Sequence, residues 1–395
     1  MIRIQLKKGK EKPVMHHHCW VFSGAIEQVH GEPGNGEIVA LHDSQQNFLA
    51  YGSYNPVSKI SVRVLEWDKD TPVDEQWWDT KIREAIARRS HFADKPETDS
   101  YRIIHSEADL IPGLIADKYA DYIVVQFLTS GTDLRKEIIT ASLKKYMNPK
   151  GIYERSDSNS RSLEGLAMSN GLLYGEMPPE QLEIRENNIR FRVNISDGQK
   201  SGYFLDQREN RKLVAGYVKD KQVLDCFCYS GGFSLYAQQA GAASVTSVDS
   251  SAPAIQTVAA NYEANQLQAN AEHLIEADVF DFLRKAQAQQ KHWDVIILDP
   301  PKLSPSRQAV ERAQRAYKDL NMQAMKLMKP GNLLATFSCS GSITLDHFKQ
   351  IIAWAATDAH KEVQIIQTFG QPEDHPIRAS FPESEYLKGV LCRVI

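Results

Sequence analysis

The run Val295-Ile296-Ile297-Leu298, followed by Asp299-Pro300-Pro301-Lys302, constrains the fold of this chain more than any other stretch. Four successive apolar residues leave no polar face, so the run reads as a strand covered on both sides, as in a parallel sheet. Two prolines cannot donate to a ladder, so the chain must leave the sheet there in a stiff, extended turn. In an open α/β sheet the crevice beyond the carboxyl ends of the strands is where ligands bind. The Asp299 carboxylate is aimed at that crevice. From about residue 186 onward, strand and helix patterns alternate, which predicts a doubly wound domain around this strand.

The remainder divides by pattern. At 395 residues the chain exceeds one ordinary core, so two or three domains are expected. Residues 1–72 carry short β-type runs with glycine turns (Trp20–Phe22, Gly36–Leu41, Phe48–Tyr51, Ile60–Leu65) and predict a small barrel or sandwich. Residues 73–185 mix types: Asp74 can cap a helix whose inner stripe is Trp78, Ile82, Ala85 and Ile86. Strands near Leu114–Ala116, Tyr122–Phe127 and Ile152–Tyr153 and a helix over 134–146 make this an α+β insert. The third region, 186–395, is the doubly wound domain.

Charge excludes little: 46 basic residues face 50 acidic ones, so any surface for nucleic acid must be local. The five cysteines (19, 226, 228, 339, 392) are odd in number and lack C-x-x-C spacing. That fits a reducing cytoplasm and neither a disulfide framework nor a zinc ribbon. No stretch approaches membrane-spanning length, and Arg3, Lys7 and Lys8 have no apolar core behind them, so a cytoplasmic, unprocessed chain is expected. His16-His17-His18-Cys19 invites a metal, but adjacent ligands rarely converge on one ion and no second cluster completes a site. A loop with His18 packed beside Trp20, and no metal, is the expectation.

Val223–Ser234 reads as strand, glycine turn and helix, with Asp225 in the strand and Gly231-Gly232 in the turn. It lacks the G-x-G-x-x-G spacing that seats a pyrophosphate on a helix N-terminus. Asp225 can instead accept from an amino group. The next strand ends in Asp249, where a ribose diol is gripped by paired hydrogen bonds. Asp278 and Phe280 follow a third strand and can clasp an adenine amino group and face. Acids that merely cap helices in a nucleotide-binding domain are the plainer reading of each residue taken alone. As an ordered series ending in Asp299-Pro-Pro, they resemble a class I S-adenosylmethionine-dependent methyltransferase. The resemblance makes Asp225, Phe227, Tyr229, Gly231, Gly232, Asp249, Ser250, Asp278, Phe280 and Arg208 the candidate contacts to S-adenosyl-L-methionine.

Asp-Pro-Pro also occurs in enzymes that methylate exocyclic amines of bases, where an aromatic commonly follows to stack on the base. Lys302 stands there instead. A later strand, Leu333–Ser338, ends in Ser338-Cys339-Ser340, and its cysteine should lie near the Asp-Pro-Pro turn. Carbon 5 of cytosine is a poor nucleophile, but a thiolate added at carbon 6 converts the ring to an enamine that can accept a methyl group. Cys339 is then the nucleophile, Asp299 holds the base edge, and Lys302 binds phosphate or lowers the thiol pKa. A buried small hydrophobe is the competing reading of Cys339. Cys226 and Cys228 read as packing or ligand-lining residues and Cys392 as core.

Several stretches together resemble the large-subunit (23S) ribosomal RNA 5-methylcytosine methyltransferase I family. They are His18–Ile26, Ser201–Arg211, Asp299–Lys302, Ser338–Ser340 and Tyr386–Gly389. Cys19 departs from the proline usual in that family's opening motif. The resemblance implies an N-terminal PUA-like RNA-binding barrel, an α+β middle domain and a Rossmann-like class I methyltransferase domain. It implies large-subunit ribosomal RNA as partner, leaves a homodimer open, and assigns the covalent step to Cys339 alone. Lys200, Arg208 and Arg211, interleaved with Tyr203 and Phe204, suit a cofactor carboxylate or an RNA strand. Lys200, Trp20 and Arg211 are therefore the candidate RNA contacts. An amine methyltransferase and a non-catalytic RNA-binding assembly factor are the alternatives.

Overall fold

The computed structural model describes residues 2–196, 202–303 and 310–395, so Lys200 lies outside the described residues. The chain forms two compact units. The first comprises residues 1–184, 194–205 and 373–384; the second comprises 185–193, 206–372 and 385–395.

In the first unit, six strands form one sheet: β1 (Arg3–Leu6), β2 (Trp20–Phe22), β3 (Ile26–His30), β4 (Ile38–His42), β5 (Phe48–Tyr54) and β6 (Ile60–Glu66). Their order is β2-β6-β5-β4-β1-β3, and all pairs are antiparallel except β1 with β4. Alternate side chains (Ile4, Leu6, Val39, Leu41, Val62, Val64) close over a core that also takes Cys19 and, from far along the chain, Phe381. Burial there pushes the Cys19 thiol well up. His18 accepts from the Trp20 backbone N–H through Nδ1 (3.2 Å) and meets Glu383 through Nε2 (3.3 Å).

A second sheet follows: β7 (Tyr101–His105), β8 (Leu114–Tyr119), β9 (Tyr122–Phe127), β10 (Gly151–Ser156) and β11 (Ser169–Gly175), in the order β11-β10-β9-β8-β7. Helices Glu75–Ala87 and Lys136–Met147 pack on it. Asp74 caps the first, accepting from the Trp77 N–H at 2.9 Å, and Trp77, Trp78, Ile82 and Ala85 are buried.

The regions expected over 1–72 and 73–185 share the first compact unit. The barrel-forming and α+β regions cluster as one unit because buried polar side chains tie them together. Arg63 reaches Glu107 (3.2 Å) and Glu164 (2.8 Å), and Asn55 donates to Glu164 (2.9 Å). Glu164 is 3 % exposed, so removing either partner would strand a buried charge. Of the region expected over 186–395, Glu373–Ser384 clusters with the first unit. Asp374 there accepts from the Arg102 N–H at 2.9 Å, and its carbonyl accepts from Arg89 at 3.2 Å.

The hairpin of β12 (Leu182–Glu186) and β13 (Ile189–Val193) carries the chain onward; its two turn residues, Asn187 and Asn188, both take the left-handed conformation such short turns require. The second unit holds seven further strands: β14 (Gln222–Cys226), β15 (Ser244–Asp249), β16 (Leu274–Glu276), β17 (Val295–Leu298), β18 (Leu333–Ser338), β19 (Val363–Phe369) and β20 (Lys388–Val394). Their order is β16-β15-β14-β17-β18-β20-β19, parallel except for β20, which runs against both neighbours. Val295 and Ile297 face one core with Val223, Val245 and Phe337; Ile296 and Leu298 face the other with Leu224, Val248 and Leu334. The doubly covered strand read from the sequence is thus literal. The strand order reverses at β14/β17, which opens a crevice at their carboxyl ends.

Candidate active site at the strand rim

Every strand-end candidate sits on this rim. After β14 the chain curls through Phe227 (φ 60°), Tyr229 (φ 48°) and Gly231 (φ 79°) into the helix Gly232–Gln239. Left-handed conformations at non-glycine residues cost on the order of 1–2 kcal/mol each, and such strain collects at ligand sites. Gly231 suits its place: at φ 79° any side chain is strained, and a Cβ there would lie 3.0 Å from both Leu235 and Val258 side-chain carbons. Asn261, fully buried, holds the turn by donating to the Ser230 carbonyl at 2.8 Å.

Beneath this turn Asp225 is 1 % exposed. Its Oδ2 accepts from Ser234 Oγ at 2.6 Å, and Ser234 Oγ also meets Ser247 Oγ at 2.7 Å. Its Oδ1 is buried with no hydrogen-bond partner among the described residues. Burial, reinforced by Asp299 and Asp249, pushes the carboxyl up to about 7. A desolvated acceptor of this kind is poised for a donor brought by a ligand.

Asp249 closes β15 and accepts two backbone N–H groups, from Tyr229 (3.0 Å) and Ser251 (2.9 Å). A carboxylate has about four lone-pair sites, so capacity for a diol is left. Ser250 is exposed beside it. Asp278 is exposed and caps the helix Val279–Ala288, accepting from the Asp281 N–H at 3.0 Å. For this residue the plain capping reading holds, with one oxygen engaged. Phe280 stands edge-on to Phe227, ring centroids 6.5 Å apart, so two half-buried aromatics flank the crevice between β14 and β16.

The acceptor side lies on β17 and β18. These strands pair in parallel, Leu298 beside Thr336, so Asp299 and Cys339 leave the sheet at the same end. Asp299 is half-buried and Lys302 exposed. Cys339 is the one cysteine of the five that is not buried. Burial drives the thiols of Cys226 and Cys228 well up and that of Cys392 to about 12, which makes them inert packing groups. Tyr317, from the helix Val310–Lys326, supports the Ser-Cys-Ser turn: its hydroxyl takes Ser338 Oγ at 3.0 Å and meets Ser340 Oγ at 3.3 Å.

Three further candidates are engaged within the protein. Arg211, a candidate RNA contact, is no surface cation: it is 3 % exposed and grips Glu186 with Nε (2.9 Å) and Nη2 (2.8 Å). Its stem lies under Gly232, where a Cβ would meet it at 3.0 Å, so it braces the glycine turn from below. Trp20 is half-buried and partly engaged: its indole N–H is committed to Glu107 (2.9 Å), Arg63 lies over the ring, and Phe381 abuts it. Arg208 is buried at the start of the helix Arg208–Ala215, with Nε on Glu209 at 3.1 Å. Sequence reasoning passed over Tyr317 and Lys388. The signal for Lys388 was a lysine opening a final strand whose next four residues carry no charge.

An open-oxygen acid under a glycine turn, a second acid one strand away and an aromatic pair together suit a nucleoside that carries an amino-acid tail. S-adenosylmethionine fits that description, and comparison with known proteins agrees. Residues 167–378 match the family model of an S-adenosylmethionine-dependent methyltransferase, and residues 4–67 match a PUA-like domain. A solved structure described as a sam-dependent methyltransferase from Streptococcus mutans is 25 % identical with a TM-score of 0.85, covering 100 % of both chains. A second, a methyltransferase complexed with SAH, gives a TM-score of 0.87 at 25 % identity over 100 % of both chains. Curated relatives named ribosomal RNA large subunit methyltransferase I are closer in sequence. Those from Enterobacter sp. and Pseudoalteromonas atlantica are 41 % and 43 % identical, over 100 % of this chain and 100 % and 99 % of their own. With that likeness running the length of the chain, this protein belongs to the ribosomal RNA large subunit methyltransferase I family of S-adenosylmethionine-dependent methyltransferases.

Proposed function

We propose that the chain methylates carbon 5 of a cytosine in large-subunit ribosomal RNA, with Cys339 as the covalent nucleophile. The observation that carries this reading is the placement of Cys339: an accessible thiol, on the strand next to that of Asp299 and at the same sheet end. The ribosomal target comes from the names of the curated relatives.

On the cofactor side, Asp225 Oδ1 takes an amino group, Asp249 the ribose hydroxyls, and Phe227 and Phe280 the adenine faces, with Asp278 at the adenine edge. Gly231 and Gly232 allow close approach of the ligand to the backbone, Tyr229 and Ser250 border the ribose, and Arg208 is the cation assigned to the carboxylate. Bound there, S-adenosylmethionine supplies an electrophilic methyl group.

On the base side, the Cys339 thiolate forms a bond to carbon 6 and pushes the double-bond electrons toward carbon 5. Asp299 holds the polar edge of the ring so that the negative charge that develops is met by a proton on the base. Carbon 5 takes the methyl group as the cofactor's S–CH3 bond breaks and its neutral thioether departs, and loss of the carbon-5 proton to solvent then expels the thiolate and restores the ring. Lys302, exposed next to Asp299, meets a backbone phosphate. The thiolate must reach the face of the ring, so the base is single-stranded or flipped out.

The test is nucleoside mass analysis of large-subunit RNA after incubation with the protein and labelled cofactor. Labelled 5-methylcytosine is expected. A purine methylated on its amine would replace this reading with amine chemistry. Tight cofactor binding without methyl transfer to any ribosomal RNA would make the protein a binding factor.

A further inference from the structure

Lys388 opens β20 directly across the ladder from Ser338, the residue before Cys339. It is 3 % exposed, so its ammonium has left water almost entirely. Nζ donates to two backbone carbonyls, Ser340 and Ile343, each at 2.7 Å. Both carbonyls belong to the turn that begins at Cys339. No carboxylate lies within hydrogen-bond distance of Nζ among the described residues, and a buried cation held only by neutral acceptors is costly.

Among the described residues, the charged and titratable groups around it are few. From the turn it is Cys339 itself, from the approach to β20 the exposed Glu385, and from beyond Asp-Pro-Pro the cation Lys302. From the helix on the other side, Tyr317 feels the same thiol. Burial pushes the Lys388 ammonium down to about 8; among the opposing influences Cys339 comes first, ahead of Glu385. Such coupling is reciprocal: a thiolate that favours the ammonium is favoured by it, in a site of low dielectric.

We propose that Lys388 is the positioning residue of Cys339: its ammonium pins the Ser340–Ile343 turn and supplies the positive charge that holds Cys339 as a thiolate. This rests on Cys339 being the nucleophile, and it replaces Lys302, which is exposed and screened, as the cation that tunes the thiol. Two of the three N–H bonds of Nζ anchor it to the carbonyls of that turn. A lysine rather than an arginine suits a compact point charge with three independently directed donors.

Cys339 reactivity can be read without RNA or turnover, by mapping iodoacetamide alkylation of Cys339 against pH by mass spectrometry. In wild type the alkylation midpoint is expected below the ordinary thiol value of about 8.5. In Lys388→Met the rate at pH 7 should fall about tenfold for each unit by which the midpoint rises, whereas Lys388→Arg should keep a low midpoint. Cofactor binding by calorimetry confirms that each variant is folded. A folded Lys388→Met with an unmoved midpoint overturns the proposal. So does a wild-type midpoint at or above about 8.5, which needs no variant. Failure of the nucleophile reading looks different: Cys339→Ser would still form 5-methylcytosine while the alkylation profile depended on Lys388 as described.

Discussion

Replacing Asp225 with asparagine should make the cofactor-free protein more stable at neutral and alkaline pH, although it removes a residue from the site. Asp225 is fully buried, accepts one hydrogen bond from Ser234, and leaves Oδ1 unmatched. Its carboxyl is raised to about 7 by burial first, then by Asp299 and Asp249. In the unfolded chain the same group titrates near 3.9. Between those values the folded protein holds a proton that the unfolded chain has lost, so this group's contribution is full at low pH and disappears as pH rises through 7. At about 1.4 kcal/mol per unit, the part lost between pH 5 and pH 8 is about 3 kcal/mol. Asparagine keeps a partner for Ser234 and carries no charge, so it escapes that loss. Thermal unfolding of wild type and Asp225→Asn from pH 5 to pH 8 should show the variant gaining on wild type, by several degrees across the range. Cofactor affinity should move the opposite way, because the open oxygen no longer serves as an anionic acceptor. A stability difference that does not change with pH would refute the reasoning.

Other consequences follow from the same geometry. Arg211→Ala removes the cation paired with the Glu186 carboxylate, which is fully buried and keeps a hydrogen bond from Tyr236, and should cost about 3–5 kcal/mol in denaturant unfolding; Arg211→Met with Glu186→Gln should recover much of it. Neither change should alter the salt dependence of RNA binding, the readout that an RNA contact would move. Asp249→Ala should weaken cofactor binding in calorimetry, and unaltered affinity would take the ribose away from that carboxylate. Trp20→Phe loses the hydrogen bond to Glu107 and should cost about 1–3 kcal/mol in stability while leaving RNA affinity unchanged; a loss of affinity in a stable variant would restore Trp20 to the RNA surface.

The parts of the fold that could be read ahead were those written in local pattern. Val295–Leu298 has no polar face and two cores meet there, one on each alternate side. The acids that end β14 and β15 and the one that follows β16 stand out because each interrupts or closes an apolar run beside a turn. Non-local partnership was invisible. Arg211 lies among cations and aromatics, the composition of a nucleic-acid surface, and only the fold brings Glu186 to it from 25 residues upstream. Phe381 and Asp374 belong by sequence to the methyltransferase region, yet their packing lies in the first unit, because a chain can return to an earlier core after any number of residues. Asp278 shows a third kind of limit. A strand-end acid that starts a helix satisfies both the cofactor pattern and the N-cap rule, and the sequence cannot separate them. Lys388 reads as an edge charge until the strand order places it between two carbonyls of the Cys339 turn.

The most direct measurement is adduct formation on ribosomal RNA in which cytidine is replaced by 5-fluorocytidine. Fluorine at carbon 5 cannot leave as a proton does, so a thiolate bonded to carbon 6 stays bonded after methyl transfer. With cofactor present, wild type should give a complex that survives denaturation, and digestion should place the nucleotide on the Cys339 peptide. Cys339→Ser should bind cofactor normally, form no complex and make no 5-methylcytosine on ordinary RNA. Undiminished methylation by Cys339→Ser, or active wild type that never becomes linked through Cys339, would contradict covalent catalysis by this residue.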